Sequence, residues 1–241
     1  MDDRFSRTRR VLGRKALEIL STKVVAIFGL GGVGGNACDA LARCGVKHFL
    51  LVDNDEVALS NLNRQLVADL TTLGQAKVDA MEARLSRIDP TIVVEKRKTF
   101  YLPEKADAFD FSRYDYVVDA IDTVSAKIDL VVRCRQAGTP VISALGCGNK
   151  IDPTALRVGD LFETKYDPLA KVLRRELRKR GVEKLKVVYS TESPIPPIDE
   201  DGEKKGTHPA PGSTPFVPPA AGLLLAAEVV KDLTAFDPAD R

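Results

Sequence analysis

The chain has 241 residues, of which 44% are hydrophobic and 29% are charged, so it is long enough to bury a sizeable core and lacks the composition of a disordered protein. Its formal net charge of +2 excludes a uniformly basic nucleic-acid binder, although a local basic patch remains compatible with that value. We expect one large α/β domain over residues 1–241.

The cysteines and the apolar segments bear on the cellular compartment. The longest apolar stretch, residues 216–227, contains Pro218 and Pro219 and is shorter than the roughly 20 residues that span a bilayer. The N-terminal segment lacks the apolar core of a signal peptide. None of the cysteines forms a C-x-x-C pair, and we expect reduced thiols in a cytoplasmic protein without a membrane segment. The cysteines are Cys38, Cys44, Cys134 and Cys147.

The first half of the chain alternates between strand and helix patterns. Residues 23–29 form an apolar run that ends in glycines, which is typical of a parallel strand buried on both faces. Residues 36–44 predict a helix closed by Gly45, and residues 48–53 predict a second buried strand. The alternation predicts a Rossmann-like, doubly wound and mostly parallel sheet over residues 1–150. The further predicted elements are strands at 92–97, 114–121 and 140–145 and helices at 75–87 and 125–137.

The second half, residues 151–241, is predicted to extend this sheet with mixed strand directions. Residues 193–216 are rich in proline and polar residues, so we expect a mobile loop there. The apolar helix expected at 217–233 is predicted to pack on the sheet or on another subunit through Leu223, Leu224, Ala227 and Val230. The other predicted elements are strands at 155–158 and 184–190 and a charged helix at 168–180.

A glycine-rich turn joins the first strand to the first predicted helix. Such glycines allow a close backbone approach to phosphates, and the helix N-terminus offers free N–H donors. Asp53 lies 19 residues after the last glycine, where an acidic side chain accepts hydrogen bonds from ribose hydroxyls. The pattern predicts a nucleotide site, but a dinucleotide-dependent dehydrogenase would share it. The motif G-x-G-x-x-G comprises Gly29, Gly31, Gly32 and Gly34.

A longer signature comes next, with D-N-D-E-V-A-L-S-N-L-N-R-Q at residues 53–65 and G-Q-A-K at residues 74–77. It resembles the adenylation domain shared by ubiquitin-activating enzymes and the bacterial activators of molybdopterin and thiamine sulfur carriers. Arg64 and Lys77 supply the positive charge that a triphosphate requires and a nicotinamide site would leave unused. The resemblance also implies that Asp55 and Asn61 bind the nucleotide, which is ATP.

Two further positions are implied by the same resemblance. Asp122 lies just beyond a predicted central strand, and the resemblance implies that it helps to hold Mg²⁺. Asp119, on the same strand, is either part of this site or only a strand-end residue. Arg7, in R-F-S-R-T, matches an arginine that reaches the triphosphate of a neighbouring subunit, which implies a homodimer; without that neighbour it belongs to a charged tail.

The segments after the nucleotide site indicate the branch of the superfamily. Paired zinc cysteines and a catalytic cysteine domain are both missing from the sequence. Four other motifs are present: G-x-x-x-D-P-T at 148–154, D-P-L-A at 167–170, V-V-Y-S-T-E at 187–192 and F-V-P-x-x-A-G-L at 216–223. With these motifs the chain resembles the tRNA threonylcarbamoyladenosine dehydratases, which implies ATP-dependent cyclisation of a modified tRNA nucleoside through adenylation of its carboxylate. Cys147 lies near the expected ligand edge, but a small buried thiol is the commoner situation.

Positive charge is concentrated in residues 171–186, which hold eight cations and two anions. On a helix, Val172, Leu173 and Leu177 are expected to pack inward and leave a cationic ridge for tRNA phosphates. The alternative is a solvated helix face, which is the usual role of a charged run. The predicted tRNA-binding residues are Arg174, Arg175, Arg178 and Lys179.

Three other functions remain open from the sequence. An activator of a ubiquitin-like sulfur carrier, with a sulfur-transfer protein as partner, would adenylate a protein C-terminus, but the zinc cysteines are missing. A nicotinamide-dependent oxidoreductase would need an acid or base, and the two histidines are His48 on a buried strand and His208 in the predicted loop. A non-catalytic interaction module would tolerate the loss of Arg64, Lys77 and Asp122, yet all three are present.

Overall fold

A seven-stranded sheet forms the centre of the structure, which is a computed structural model that describes residues 3–165, 167–196, 198, 204–205, 208–209 and 211–237. The strand order is β3-β2-β1-β4-β5-β7-β6, and every neighbouring pair is parallel except β6 and β7. This confirms the predicted doubly wound, mostly parallel sheet with a mixed extension. The strands are β1 (Val24–Phe28), β2 (His48–Val52), β3 (Val93–Arg97), β4 (Tyr116–Asp119), β5 (Val141–Ala144), β6 (Leu156–Asp160) and β7 (Lys186–Ser190).

Six α-helices pack around the sheet within the described residues. Five of them match predicted segments to within a few residues, since their apolar faces are clear in the sequence. They are α1 (Ser6–Thr22), α2 (Gly34–Arg43), α3 (Lys77–Ile88), α4 (Val124–Ala137), α5 (Pro168–Lys179) and α6 (Val217–Thr234). Among the described residues, no helix combines the length and the apolar composition needed to cross a bilayer.

Strand β1 lies at the point where the order of the sheet reverses. Ile27 of β1 pairs with Leu51 of β2 on one side and with Val118 of β4 on the other. The chain therefore runs from β1 to β2 and β3 on one side of β1, and then crosses to β4 on the other side of β1. Open α/β sheets bind ligands in the crevice that such a reversal leaves at the carboxyl ends of the strands. The fold thus places the loops after β1, β2 and β4 around one crevice.

Helix α1 was not predicted, because its many charged residues leave only a narrow apolar stripe. Ala16 and Leu20 are the two side chains of α1 that are buried against the core. Gly13 interrupts the helical backbone with a φ of +82°. Ahead of the helix, Arg4 forms an ion pair with the buried Asp89 at the end of α3. The N-terminal segment is therefore held to the body of the protein rather than extending from it as a charged tail.

Helix α6 crosses α2 at very short range. A Cβ atom on Gly222 would lie 2.3 Å from the carbonyl oxygen of Val33. The buried face of α6 differs in part from the predicted one, because the crossing at Gly222 sets the rotation of the helix: Leu223 is 55% exposed and Ala227 is also exposed. Val230 is buried as predicted, and Leu224 is partly buried. The residues that face the core include Val217, Ala221, Leu225, Ala226 and Val229.

The described ends of the predicted mobile loop are hydrogen bonded. The N–H of Ile195 donates to the backbone oxygen of Asn149 at 2.7 Å, and the N–H of Gly212 donates to Oδ1 of Asn149 at 2.6 Å. Two short strands pair in an antiparallel manner between these ends, and most other residues of 197–210 lie outside the described residues, so mobility there stays a prediction. These strands are β8 (Lys204–Lys205) and β9 (His208–Pro209).

We expect Gly222→Val to lower the free energy of unfolding by about 3 kcal/mol, because the added side chain would force α6 away from α2. Ala227→Val introduces the same side chain on the exposed side of the same helix. It should lower the free energy of unfolding by only about 0.5 kcal/mol, which is the difference in helix propensity between alanine and valine. Urea denaturation of both variants measures the difference. Equal losses would contradict the close crossing.

Candidate functional site

A cavity of about 350 Å³ opens at the crevice between the carboxyl ends of β1, β2 and β4. The structure brings nine of the predicted nucleotide-site residues to its wall, although they come from the three separate connections that follow β1, β2 and β4. Two others, Gly34 and Arg7, do not line it. The nine are Gly29, Gly31, Gly32, Asp53, Asp55, Asn61, Arg64, Lys77 and Asp122.

Two glycines of the turn are required by packing within the protein itself. Gly29 has a φ of +89°, and a Cβ atom there would lie 2.6 Å from the carbonyl oxygen of Ala120. A Cβ atom on Gly34 would lie 1.8 Å from the carbonyl oxygen of Gly29. Gly34 therefore allows the tight entry into α2 and is not part of the cavity wall.

Gly31 is different, because the protein leaves space beside it. The nearest atom to a Cβ placed there would be Nε2 of Gln65, at 4.0 Å. No acceptor for the backbone N–H groups of Gly31, Gly32 and Val33 is found among the described residues, and all three line the cavity. Successive free N–H groups ahead of a helix form an anion-binding concavity. The turn thus has the geometry of a phosphate-binding loop.

Asp53 ties this turn to the end of β2. Its Oδ2 accepts a hydrogen bond from the N–H of Leu30 at 2.6 Å, and its Oδ1 accepts one from the N–H of Asp55 at 2.8 Å. Each carboxylate oxygen retains a second lone pair for a ligand. Asp53 therefore has a structural role that the sequence did not indicate, while its predicted contact with a ribose stays a prediction.

The cations of the cavity are held by local contacts. Lys77 is only 4% exposed, and its ammonium lies 2.7 Å from Oδ2 of Asp55. Arg64 donates from Nη1 to the backbone oxygen of Ser60 and to Oδ1 of Asn63, both at 2.8 Å. Arg64 is only partly buried, and these two bonds occupy one nitrogen of its guanidinium. Both side chains are thus positioned before any ligand binds.

Asn61 shapes the loop that carries Arg64. Its Oδ1 accepts a hydrogen bond from the N–H of Ala58 at 3.1 Å, which caps the short 3₁₀ turn at Leu59–Asn61. Asn61 is largely buried, yet it also lines the cavity. Its amide nitrogen is the part of the side chain that remains available to a ligand.

Asp119 and Asp122 have separate environments. Asp119 is fully buried and lies 2.9 Å from Nζ of Lys127, which is 2% exposed, and it does not line the cavity. Its other oxygen accepts from the N–H of Ile121 at 3.2 Å, so the pair holds the turn after β4 in place. Asp122, three residues later, is exposed in the cavity wall. The structure therefore favours the interpretation of Asp119 as a strand-end residue.

The cavity has an aromatic and apolar wall that sequence reasoning missed. Tyr101 donates to Oδ2 of Asp129 at 2.7 Å and packs against Phe28 with a centroid distance of 5.1 Å. Burial and the bond to Asp129 raise the pKa of Tyr101 above its ordinary value. The sequence signal that could have indicated this wall is the pair Phe100 and Tyr101 after β3, but the pair belongs to no known motif. The lining residues that were not predicted are Phe28, Val33, Val52, Asn54, Gln65, Thr99, Phe100, Tyr101, Ala120 and Ile121.

Arg7 and Cys147 lie away from this wall. Arg7 is an exposed residue of α1. Cys147 is buried, and burial raises its thiol pKa to about 11, so it is almost entirely protonated at neutral pH. Its Sγ is 3.4 Å from the backbone oxygen of Leu145. A protonated, enclosed thiol is a poor nucleophile.

Two side chains of the predicted cationic ridge on α5 make contacts within the protein. Arg174 donates from Nη1 to the backbone oxygen of Thr164 at 2.9 Å and to its hydroxyl at 2.5 Å. The guanidinium of Arg178 lies 5.1 Å from the centre of the Phe162 ring and is close enough for a cation–π contact. The expectation for Val172 was wrong, because it is 37% exposed and the inward stripe is narrower than predicted. Leu173 and Leu177 are buried as expected.

Arg175 and Lys179 remain exposed and share one carboxylate. Hydrogen bonds from Lys179, Arg180 and Arg175 lower the pKa of Glu176 to about 2. Glu176 is therefore ionised at all physiological pH values and neutralises part of the ridge. The surface keeps a net positive charge, since three cations surround one anion.

We expect Lys127→Met to lower the free energy of unfolding by about 3–5 kcal/mol, because it leaves Asp119 buried without its counter-ion. The double variant Asp119→Asn with Lys127→Met should recover most of that loss, since no buried charge remains. Urea denaturation of the two single variants and the double variant completes the cycle. Additive losses would mean that the two side chains do not depend on each other.

Comparison with known proteins identifies the family of the chain. The sequence profile of the ThiF family matches residues 5–240. A tRNA threonylcarbamoyladenosine dehydratase of Bacillus subtilis is 45% identical over 239 residues, which cover 95% of this chain and 94% of the relative. A molybdopterin-synthase adenylyltransferase of Escherichia coli is 36% identical over 126 residues, which cover 52% of this chain and 50% of the relative.

Solved structures of the E. coli tRNA N6-threonylcarbamoyladenosine dehydratase, TcdA, match the whole fold. The structure in complex with ATP has a TM-score of 0.86 at 33% identity, and the structure in complex with AMP has a TM-score of 0.87 at 34% identity. Each match covers 97% of this chain and 94% of the solved chain. Since the family profile spans nearly every residue and the fold agrees throughout, the chain belongs to the ThiF family.

Proposed function

We propose that the protein catalyses the ATP-dependent dehydration of threonylcarbamoyladenosine in tRNA, through adenylation of the carboxylate of that nucleoside. The observation that carries the proposal is the extent of the similarity to a dehydratase, which covers 95% of the chain, whereas the similarity to the molybdopterin-synthase adenylyltransferase covers 52%. The cavity supports it, because it combines a phosphate-binding turn with two cations and an exposed carboxylate. The chain would act as one adenylating unit in the cytoplasm.

ATP would occupy the cavity with its phosphates at the glycine turn. The free N–H groups of Gly31 and Gly32 lie at that position, and Lys77 and Arg64 lie in the same wall to offset the phosphate charge. Asp53 would accept hydrogen bonds from the nucleotide, and Asn61 would donate them. The apolar wall next to Phe100 provides a surface for the base.

Residues of the cavity also fit a magnesium ion bound together with the triphosphate. Asp122 is exposed in the cavity wall at the end of the turn after β4, and Asp53 and Asp55 lie in the same wall. Mg²⁺ in nucleotide sites takes one or two carboxylates and completes its shell with phosphate oxygens and water. When bound, the ion would lower the charge that repels an incoming carboxylate from the triphosphate. Asp122 would hold it there.

The first chemical step joins the nucleoside to the nucleotide. A carboxylate oxygen of the threonylcarbamoyl group attacks the α-phosphorus of ATP, the bond to the β-phosphate oxygen breaks, and pyrophosphate leaves. The product is an acyl adenylate. Arg64 and Lys77 stabilise the negative charge that develops on the phosphate oxygens in this displacement. No residue of the protein needs to form a covalent bond.

The second step closes the ring. A nitrogen or oxygen of the same threonylcarbamoyl side chain attacks the acyl carbon, loses its proton, and expels AMP. The net change over both steps is the loss of one water from the nucleoside while ATP becomes AMP and pyrophosphate. An intramolecular attack is fast because its reacting groups are already held together. This agrees with the protonated, enclosed state of Cys147.

Two parts of the proposal extend beyond the cavity. Arg7 is exposed on α1, where it would reach the triphosphate of a second subunit in a homodimer. The ridge of Arg175, Arg178 and Lys179, with Arg174 behind it, would contact tRNA phosphates.

A second candidate is an activator of a ubiquitin-like sulfur carrier, with a sulfur-transfer protein as its partner. The similarity to molybdopterin-synthase adenylyltransferase over half of the chain favours it, since both activities need the same adenylation site. A nicotinamide-dependent oxidoreductase has weaker support. His48 on β2 does not line the cavity, and the two cations there would have no role in hydride transfer.

The function predicts a nucleoside that is lighter by one water. Incubation of the protein with ATP, Mg²⁺ and tRNA that contains threonylcarbamoyladenosine, then mild digestion and mass spectrometry, should show this product only when ATP is present. Arg64→Ala should reduce its rate of formation at least about 100-fold, because a charge-stabilising donor is lost. Arg87→Ala, an exposed position on α3, is the matched control. An unchanged nucleoside on competent tRNA, together with pyrophosphate exchange on a carrier protein, would favour the second candidate.

The ridge predicts a salt-dependent loss of tRNA affinity. In filter binding, the double variant Arg175→Gln with Lys179→Gln should bind tRNA more weakly, with a slope of log K against log salt that is smaller by about 1–2, because up to two phosphate contacts are removed. Its affinity for ATP should not change. Lys231→Gln, an exposed lysine of α6, serves as the control. If the slope equals that of the unaltered protein, the cations of α5 do not contact tRNA and form a solvated helix face.

A further inference from the structure

We propose that exposed cations of α1 form a second surface for tRNA, which binds backbone phosphates at a distance from the nucleoside that reacts. The inference rests on the proposed function for the identity of the RNA. The surface consists of Arg10, Arg14 and Lys15, which have no part in the roles described above. Arg7 does not belong to it, because that side chain is already proposed to reach the nucleotide of a second subunit.

The N-terminal part of α1 and the turn before it carry a run of unbalanced positive charge. Residues 4–17 hold six cations and no anion, and the next acidic residue is Glu18. Among the residues that the structure describes, no carboxylate lies within ion-pair distance of Arg10, Arg14 or Lys15, and all three side chains are exposed. On α5, by contrast, Glu176 forms ion pairs with three neighbouring cations. The charge of α1 is therefore open to an external partner.

These charges are unfavourable for the helix that carries them. Helix α1 begins at Ser6 with no acidic residue in its first turn and no hydrogen bond from a capping side chain. Positive charge near a helix N-terminus opposes the helix dipole. Arg7 and Arg10 are three residues apart on the helix, a spacing at which like charges repel each other. Phosphates bound along α1 would remove both penalties, so the charge pattern favours a polyanionic partner.

The composition of the exposed face indicates RNA rather than a membrane. The apolar side of α1 faces the protein, since Ala16 and Leu20 are buried and Leu12 packs against the core. Val11 is the one large apolar side chain of α1 that is exposed. A helix that lies on a membrane needs an exposed apolar face. Arginine, in contrast, matches the geometry of a phosphate through two parallel hydrogen bonds, and RNA presents a phosphate at every nucleotide.

Contacts near the beginnings of strands place α1 away from the cavity. Arg4 pairs with Asp89, which lies in the connection that leads into β3. Oγ1 of Thr8 donates to the backbone oxygen of Arg43, at the end of the helix before β2, at 3.4 Å. The cavity lies at the opposite, carboxyl ends of these strands, which are five residues long and so separate the two edges by about 16 Å. The phosphates on α1 would therefore belong to another part of the tRNA than the reacting nucleoside.

The test removes two of these charges. In filter binding, the double variant Arg10→Gln with Arg14→Gln should bind tRNA about tenfold more weakly, with a slope of log K against log salt that is smaller by about 1–2, because up to two phosphate contacts are lost. Without RNA, its unfolding midpoint in urea should be unchanged or higher, because repulsion within α1 is relieved. In the dehydration assay, the KM for tRNA should rise while kcat stays the same, since the reacting groups lie at the other edge of the sheet.

The double variant Lys105→Gln with Arg113→Gln is the matched control. It removes the same number of charges from exposed positions on the opposite face of the sheet. Its tRNA affinity and its salt slope should equal those of the unaltered protein.

The inference is overturned if the α1 variant binds tRNA with unchanged affinity and slope, or if its unfolding midpoint falls together with the affinity, which would assign the arginines to the fold. A lower kcat would also overturn it, because the arginines would then act at the reacting groups of a second subunit. So would binding to vesicles of anionic phospholipid that the variant loses while its tRNA affinity is kept. If the unaltered protein binds tRNA but does not dehydrate it, the proposed function fails, and the binding measurements still decide this inference.

Discussion

The structure depends on how closely three backbone segments approach one another at the start of α2. Gly29 and Gly34 bring the end of β1, the turn after β4 and the entry into α2 within van der Waals contact, and Gly222 allows α6 to pack on the same turn. A side chain at any of these positions would meet a carbonyl oxygen at less than 3 Å. This crowding leaves the N–H groups of the turn at the cavity with no acceptor in the described protein, which is the condition for binding an anion.

The cavity is arranged by charge as much as by shape. Lys77 is buried and paired with Asp55, and Asp119 is buried and paired with Lys127 below the loop that carries Asp122. Each buried charge has a partner, so the loops are held in place without a ligand. Asp122 and Arg64 are the more exposed groups, and both line the cavity that is proposed to take ATP. The rigid pairs thus position the groups that are proposed to act.

The second half of the chain is held together by contacts between its own motifs. Glu192 accepts hydrogen bonds from the N–H groups of Ile151 and Asp152, and Asn149 joins the loop after β5 to the segment that precedes α6. These contacts join the motif at 148–154 to the motif at 187–192 and to the segment before α6.

The sequence by itself determined the doubly wound sheet and nine of the residues that line the candidate nucleotide cavity. Buried parallel strands leave continuous apolar runs, and the glycine turn and the D-N-D to N-R-Q segment lie within short stretches of chain. Only the tertiary structure decided the contacts between distant segments. The structure shows that Asp119 pairs with Lys127 and that Leu223 is exposed. It also shows that Arg174 donates a hydrogen bond to Thr164 and that aromatic residues line the cavity. These outcomes depend on the rotation of helices and on loops that meet across the fold, and neither leaves a local pattern in the sequence.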